Sequence, residues 1–357
     1  MTTVASVLAG LDRTDLPETL FLEAGPVRLA VRCNTPMAIE LRRHFADALS
    51  KEGPVDATVD VLQEQHLSGE PVWTDWAREP GKTGRKDAYH DIEDGRLVHK
   101  IRTGMTFVQS PQVMVAMGPC LKHPNQVINF VNTQILNIYK RDGWEICHAA
   151  AVTDGVNGLA IAGLSGGGKS TAILRMMDLE TTRFVTNDRL MVRSSGDGPT
   201  GLGIPKNPRI NPGTILHNER LAPMLSAARR QQLAQMPSED LWQLEEKHDL
   251  FLSDIYGANR VQFTMPLTEF WVLNWSRDTG EPTTLRDAVL RERPDLLSAI
   301  MKSPGPFYQD RRGVFLRDTD PLVPEGYLRQ LENVRIREVT GKIDFDVLAQ
   351  AGGELFS

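Results

Sequence analysis

Leu159-Ala-Ile-Ala-Gly163-Leu-Ser-Gly-Gly-Gly168-Lys169-Ser170-Thr171 is the stretch that decides the fold. Four short apolar residues lead into G-x-x-x-x-G-K-S, the spacing of a phosphate-binding loop between a buried strand and a helix. The residues after it, with Ile173, Leu174, Met176 and Met177 as an inner face, predict a helix from Lys169 to about Leu179. Each residue type has a physical task. Gly163, Gly166, Gly167 and Gly168, with Ser165 among them, leave room for backbone N–H groups to turn inward around phosphate oxygens. The amino terminus of the helix, through Ser170 and Thr171, adds unsatisfied donors and a positive dipole end. Lys169 brings a mobile charge for the outer phosphates, and the Ser170 hydroxyl can ligate Mg²⁺. The plainer alternative is a glycine-rich turn that holds no nucleotide.

Downstream, Thr182-Arg-Phe-Val-Thr186 reads as a strand ending in Asn187-Asp188. If it lies beside Leu159–Ala162 and parallel to it, Asp188 reaches the edge where the phosphates sit, opposite Ser170 across a metal. Many phosphate-loop proteins place that acid much later in the chain. Upstream, His148 stands just before the strand that leads to the loop; alone, it would be read as a packed or surface histidine.

Taken together, His148-Ala-Ala, the loop Gly163-Leu-Ser-Gly-Gly-Gly-Lys-Ser and Arg183-Phe-Val-Thr-Asn-Asp188 resemble the catalytic domain of HPr kinase/phosphorylase, a distant relation of the phosphoenolpyruvate carboxykinases. Gly201-Leu-Gly-Ile204 and the Pro205-Lys-Asn-Pro-Arg-Ile-Asn-Pro-Gly213 loop are similar to that family's glycine-rich signature and substrate-facing loop. The arrangement looks closest to the HPr kinase-related kinase B branch of bacterial kinases, over roughly residues 140 to 275. The resemblance implies ATP and Mg²⁺ as cofactors, Ser170 and Asp188 as metal ligands, and His148 as an active-site histidine. It also implies a homo-oligomer, since the true HPr kinases are hexamers. One departure matters: Asn187 stands where the family carries the first Asp of a pair, and an amide takes no proton at neutral pH. Either Asp188 is the base, or His148 helps, or transfer is slow or absent.

The Pro/Gly-rich loop adds Lys206 and Arg209, cations suited to the charge that develops on a moving phosphoryl group, or else ordinary exposed loop charges. Glu245-Glu-Lys-His-Asp249 suggests a metal set but is read more simply as a solvated helix face. Before residue 118 the chain alternates as strands do around Leu20–Val31, 55–62, 97–101, 106–108 and 113–117, with a helix over 36–50. Ala77 to Asp94 reads as an exposed polar excursion, and a helix is predicted from Pro124 to Tyr139. From Asp197 to Gly213 the chain reads as loop-rich, and a polar helix follows over about Pro223–Met236. Val261–Phe263 and Glu269–Asn274 read as strands, and Leu285–Arg293 and a stretch after Pro294 as helices. The expected fold class is therefore α/β, a phosphate-loop core of HPr kinase/carboxykinase type with a mixed sheet. An α+β domain over 1–118 precedes it, and the kinase-like domain with a C-terminal α/β extension covers 119–357.

Forty Lys and Arg against forty-six Asp and Glu leave a net charge of −6, which argues against broad grip on nucleic acid or an anionic membrane. Cys33, Cys120 and Cys147 are too few and too scattered for a disulfide framework or a zinc site. Asp12, Asp15 and Glu18 come too early for a signal peptide, and no apolar run reaches about 18 residues, so a cytoplasmic protein is expected. The leading expectation is an ATP- and Mg²⁺-dependent kinase acting on a hydroxyl, Ser of a protein or a serine-like small molecule. Asp188, His148, Lys169 and Arg209 would carry the chemistry. The alternative is a nucleotide-binding switch or scaffold with little or no turnover, and a weaker third is a carboxykinase-type metabolic enzyme.

Overall fold

The computed structural model describes residues 2–78, 83–163, 167–244 and 246–357, so Ser165, Gly166 and Glu245 lie outside the described residues. The chain divides into two compact units. One is Met1–Gly143 with Ser303–Leu322; the other is Trp144–Lys302 with Val323–Ser357.

In the first unit, helix α1 (Val4–Leu8) precedes β1 (Glu18–Ala24) and β2 (Val27–Cys33), and α2 (Thr35–His44) follows them. Then come β3 (Ala57–Gln63), β4 (Thr74–Asp75), β5 (Asp87–Ile92), β6 (Gly95–Lys100), β7 (Met105–Gln109) and β8 (Met114–Gly118). They form one mixed sheet in the order β1-β2-β3-β8-β7-β6-β5-β4. The segment expected to be an excursion from Ala77 to Asp94 supplies β5, which pairs with β6 from Asp87↔Lys100 to Ile92↔Gly95. Its polar composition concealed a strand whose first half is buried. Helix α3 (Pro124–Arg141) packs on β2 and β3, and Phe130 meets Phe107 and Phe307 at centroid distances of 4.8 and 5.1 Å. Those long-range apolar contacts draw α3 and residues 303–322 into this unit, moving the boundary expected at 118 to 143. Arg96, fully buried, fastens the returning segment: it pairs with Asp91 and donates to the carbonyls of Pro306 and Leu316. Its guanidinium also lies 4.5 Å from the centre of the Phe315 ring.

The second unit holds β9 (Glu145–Cys147), β10 (Ala149–Thr153), β11 (Gly158–Gly163), helix α4 (Lys169–Met177), β12 (Arg183–Thr186), β13 (Leu190–Ser195) and β14 (Gly198–Gly203). The short ladder β15 (Arg209–Ile210) and β16 (His248–Asp249) follows, then β17 (Thr264–Pro266), β18 (Glu269–Leu273), β19 (Thr284–Asp287) and β20 (Arg335–Thr340). The six-stranded mixed sheet runs β12-β10-β11-β18-β20-β19, and a four-stranded antiparallel sheet runs β17-β14-β13-β9. Period-two alternation sets the faces. Leu159 and Ile161, with Trp271 and Leu273, join the cluster that α4 completes through Ile173, Leu174 and Met177. Ala160 and Ala162, with Phe270 and Val272, face the helices Pro294–Ile300 and Pro324–Gln330. Two expectations change here. β12 is separated from β11 by β10, yet both pairings are antiparallel, so β12 still runs in the direction of β11. Leu285–Arg293 is strand β19 and a short 3-10 turn, because Thr284–Asp287 pairs with Thr340–Arg337.

The Gly201-Leu-Gly203 stretch, expected to be loop, ends β14 for a steric reason. A Cβ at Gly203 would stand 1.9 Å from the Val185 carbonyl oxygen. Gly203→Ala is therefore expected to destabilise the protein by about 3 kcal/mol, seen as a lower urea midpoint at unchanged slope.

Candidate active site

The chain changes sheets at two neighbouring places, and both changes bring chemistry to one spot. Between β9 and β10 stands His148, whose N–H is tied to the Ile300 carbonyl at 2.7 Å. Between β12 and β13 stand Asn187, Asp188 and Arg189. Because Leu190 pairs with Cys147 and Thr186 with Ala151, the two crossings are adjacent. His148 Nε2 consequently lies 3.2 Å from Asp188 Oδ1. Gly203, at the end of β14, pairs with Leu190, so Lys206 reaches the same region. The edge at which β11 hands over to α4 completes it. His148, Gly167–Thr171, Asn187–Arg189, Lys206 and Asn211 all border one cleft of about 990 Å³.

Among the described lining residues, seven Lys and Arg face three Asp and Glu, a local positive balance on a chain of net −6. The cleft is therefore built for an anion. Helix α4 opens into it from Gly168, which holds a left-handed φ of 88° and gives no side-chain cap, leaving the first-turn N–H groups without an intrahelical partner. Lys169 Nζ donates to the Gly163 carbonyl at 3.1 Å, folded back on the loop. Burial, reinforced by Lys302, lowers the pKa of its ammonium, and Asp188 opposes that shift. Asp188 itself is pulled in two directions. Burial would raise its carboxyl, but the His148 hydrogen bond and the charges of Arg189, Lys206 and His148 prevail and hold it well below the ordinary carboxylate range. Its side chain still keeps 39% of its surface open to the cleft.

The sequence-predicted residues fare unequally. Lys169, Ser170, Thr171, His148 and Asp188 come together, with Gly167 and Gly168 beside them. Gly163 ends β11 and acts through its carbonyl, while Thr171 shares a hydroxyl hydrogen bond of 2.9 Å with Thr214. Arg209 borders the cleft but forms an ion pair with Asp249 at 2.8 Å, so Arg189 and Lys206 are the cations that act on Asp188. Arg189 escaped notice because it reads as the first residue of a strand. The charged run near residue 246 is engaged elsewhere: Glu246 pairs with Arg229 and with His248. Among the described residues, no group of three or more His, Cys, Asp or Glu could hold a metal ion.

The donor set nonetheless suits a nucleotide with Mg²⁺, which keeps several waters and takes only one or two protein oxygens. The Ser170 hydroxyl and the Asp188 carboxylate supply such oxygens on the cleft. Asn187 Oδ1 and Asn211 Oδ1 are buried acceptors without a hydrogen-bond partner among the described residues, as expected of groups awaiting a ligand or its waters. Among the described residues, no helix is long and apolar enough to cross a membrane. Cys33, Cys120 and Cys147 are buried and form no disulfide among the described residues, and burial pushes the Cys33 and Cys120 thiols up to about 12.

No family model matches the chain, and no curated protein matches it. Among solved structures, the HPr(Ser) kinase/phosphatase from Coxiella burnetii is similar over 58% of this chain and 92% of its own. The identity is 10% and the TM-score 0.30, so the likeness carries no weight beside the chain's own residues.

Proposed function

We propose that the second unit is an ATP- and Mg²⁺-dependent phosphotransferase that moves the γ-phosphoryl group to a hydroxyl, on Ser of a protein or on a serine-like small molecule. The observation that carries this reading is the His148–Asp188 pair, 3.2 Å apart, in a cationic cleft that also receives the uncapped start of α4. The α4 N–H groups and Lys169 bind the phosphates, while Arg189 and Lys206 offset charge on the transferring group. Ser170 and Asp188 are the residues that would hold Mg²⁺, which would supply positive charge to the phosphates. In the transfer, the acceptor oxygen bonds to the γ phosphorus as the bridge to the β-phosphate breaks. ADP leaves with that electron pair, and the hydroxyl proton passes to the His148–Asp188 pair. Buried thiols outside any disulfide agree with work in a reducing cytoplasm.

A second reading has one observation in its favour. Asn187, at the position of an acid in the family the sequence resembles, suits a protein that binds nucleotide and turns it over little or not at all. Incubation with γ-labelled ATP and cell extract separates the two. A labelled product that requires active protein and Mg²⁺ supports transfer; ATP-dependent thermal stabilisation without any product supports the switch; neither result defeats both.

A further inference from the structure

We propose that Trp275 is a positioning residue for the nucleotide phosphates, holding the phosphate loop from behind through the Gly167 carbonyl; this rests on the nucleotide reading above. Its indole Nε1–H donates to that carbonyl at 2.9 Å. The peptide is trans, so the C=O of Gly167 and the N–H of Gly168 point in opposite directions. Fixing the carbonyl on the indole turns the Gly168 N–H to the other side, toward the cleft that Gly167 and Gly168 border. A loop rich in glycine has many other peptide orientations available, and one anchored carbonyl removes most of them.

Trp275 is itself held on several sides. It continues the β18 alternation of Trp271 and Leu273, packing against the same apolar cluster as α4. The N–H groups of its neighbours, Asn274 and Ser276, are bonded to the carbonyls of Val339 and Gly341, each at 2.9 Å. Edge-on to the indole sits Phe345, with ring centroids 5.1 Å apart and planes at 85°. Phe345 opens the helix Phe345–Leu355, which Asp344 caps and which Arg175 of α4 joins through Asp346 at 3.1 Å. The same ring explains Gly168: a Cβ there would stand 2.7 Å from Phe345 Cζ and 3.4 Å from Trp275. Left-handed backbone, aromatic wall and anchored carbonyl thus fix the peptide between Gly167 and Gly168.

Trp275→Phe keeps the ring packing and deletes the N–H. Titration calorimetry with ATP, inorganic tripolyphosphate and adenosine is the measurement, alongside melting without ligand. The variant is expected to bind ATP and tripolyphosphate about 3–10-fold more weakly, the span of one ordinary hydrogen bond, with adenosine affinity unchanged and melting within about 2 °C. Equal phosphate affinity in both proteins, or an equal loss for adenosine, overturns the role of Trp275. Wild-type protein that binds neither ATP nor tripolyphosphate defeats the nucleotide reading itself. Should Trp275→Phe not fold, Phe345→Leu, which releases the indole from one side, must show the same phosphate-selective loss; unchanged phosphate affinity there overturns the proposal.

Discussion

Lys169→Ala is expected to lower phosphoryl transfer by about 10²–10³-fold, the scale of removing one preorganised charge from developing negative oxygens. Its effect on the ligand-free fold should have the other sign. The Lys169 ammonium is buried, sits within the influence of Lys302, and donates to the Gly163 carbonyl. Its folded pKa therefore lies below the value of the unfolded chain, so the unfolded state binds more protons between the two. Stability from this group accordingly rises with pH through that window and is lower at neutral pH, where the lysine must stay charged. Removing it should leave the ligand-free melting temperature unchanged or raised, while abolishing most of the stabilisation by ATP. Melting curves with and without ATP, beside a transfer assay, check both signs. A variant that loses activity and ligand-free stability together contradicts this account of Lys169.

Asp188→Asn carries the second large effect. The carboxylate is the acceptor for His148 and the negative centre among Arg189, Lys206 and Lys169. Under the proposed function its loss removes the proton-accepting pair and one of the two oxygens suited to Mg²⁺, and transfer should fall about 10²–10³-fold. In EDTA, by contrast, ATP should bind several-fold more tightly to the variant, because a negative charge has left the phosphate site. The sign reverses between metal-free binding and metal-dependent turnover, a pattern that mere unfolding does not produce. Acid titration offers a further check. A carboxyl whose folded pKa is depressed stabilises the fold above its unfolded value, about 3.9, and loses that contribution as pH falls further. The wild type should thus lose more stability than Asp188→Asn below about pH 4.

The local parts of this site were legible, because they depend on residues close together in the chain. Strand β11, helix α4 and the spacing from Gly163 to Ser170 follow from an apolar run, glycines and helical periodicity. What escaped depends on pairing between distant segments. Nothing in Ala149–Thr153 says that this strand inserts between β11 and β12, since a short apolar run declares neither its partners nor its order. The break at His148 is foreseeable as a strand start, but nothing in Ile146–Val152 says that its two sides serve different sheets. Thr284–Asp287 has helix-compatible residues and becomes a strand only through β20. Arg209 was selected for its charge; its partner Asp249 lies forty residues away in sequence, where only the β15–β16 ladder brings it near. Trp275 and Phe345 were invisible for the same reason, each more than a hundred residues from the glycines they constrain.

Arg96 has a consequence for how the protein is made. Its charge is buried, and two of the carbonyls that receive it belong to Pro306 and Leu316. A nascent chain that has just emerged through residue 143 therefore has Asp91 but lacks two of the acceptors for a cation its sheet must enclose, at a cost that disfavours premature closure. At about 5–20 residues per second, the missing segment arrives on the order of ten seconds or more later. By then most of the second unit has been synthesised too. The usual order, in which an amino-terminal body matures before its successor exists, does not apply here: the first unit waits on residues 303–322, which follow most of the second unit in the chain.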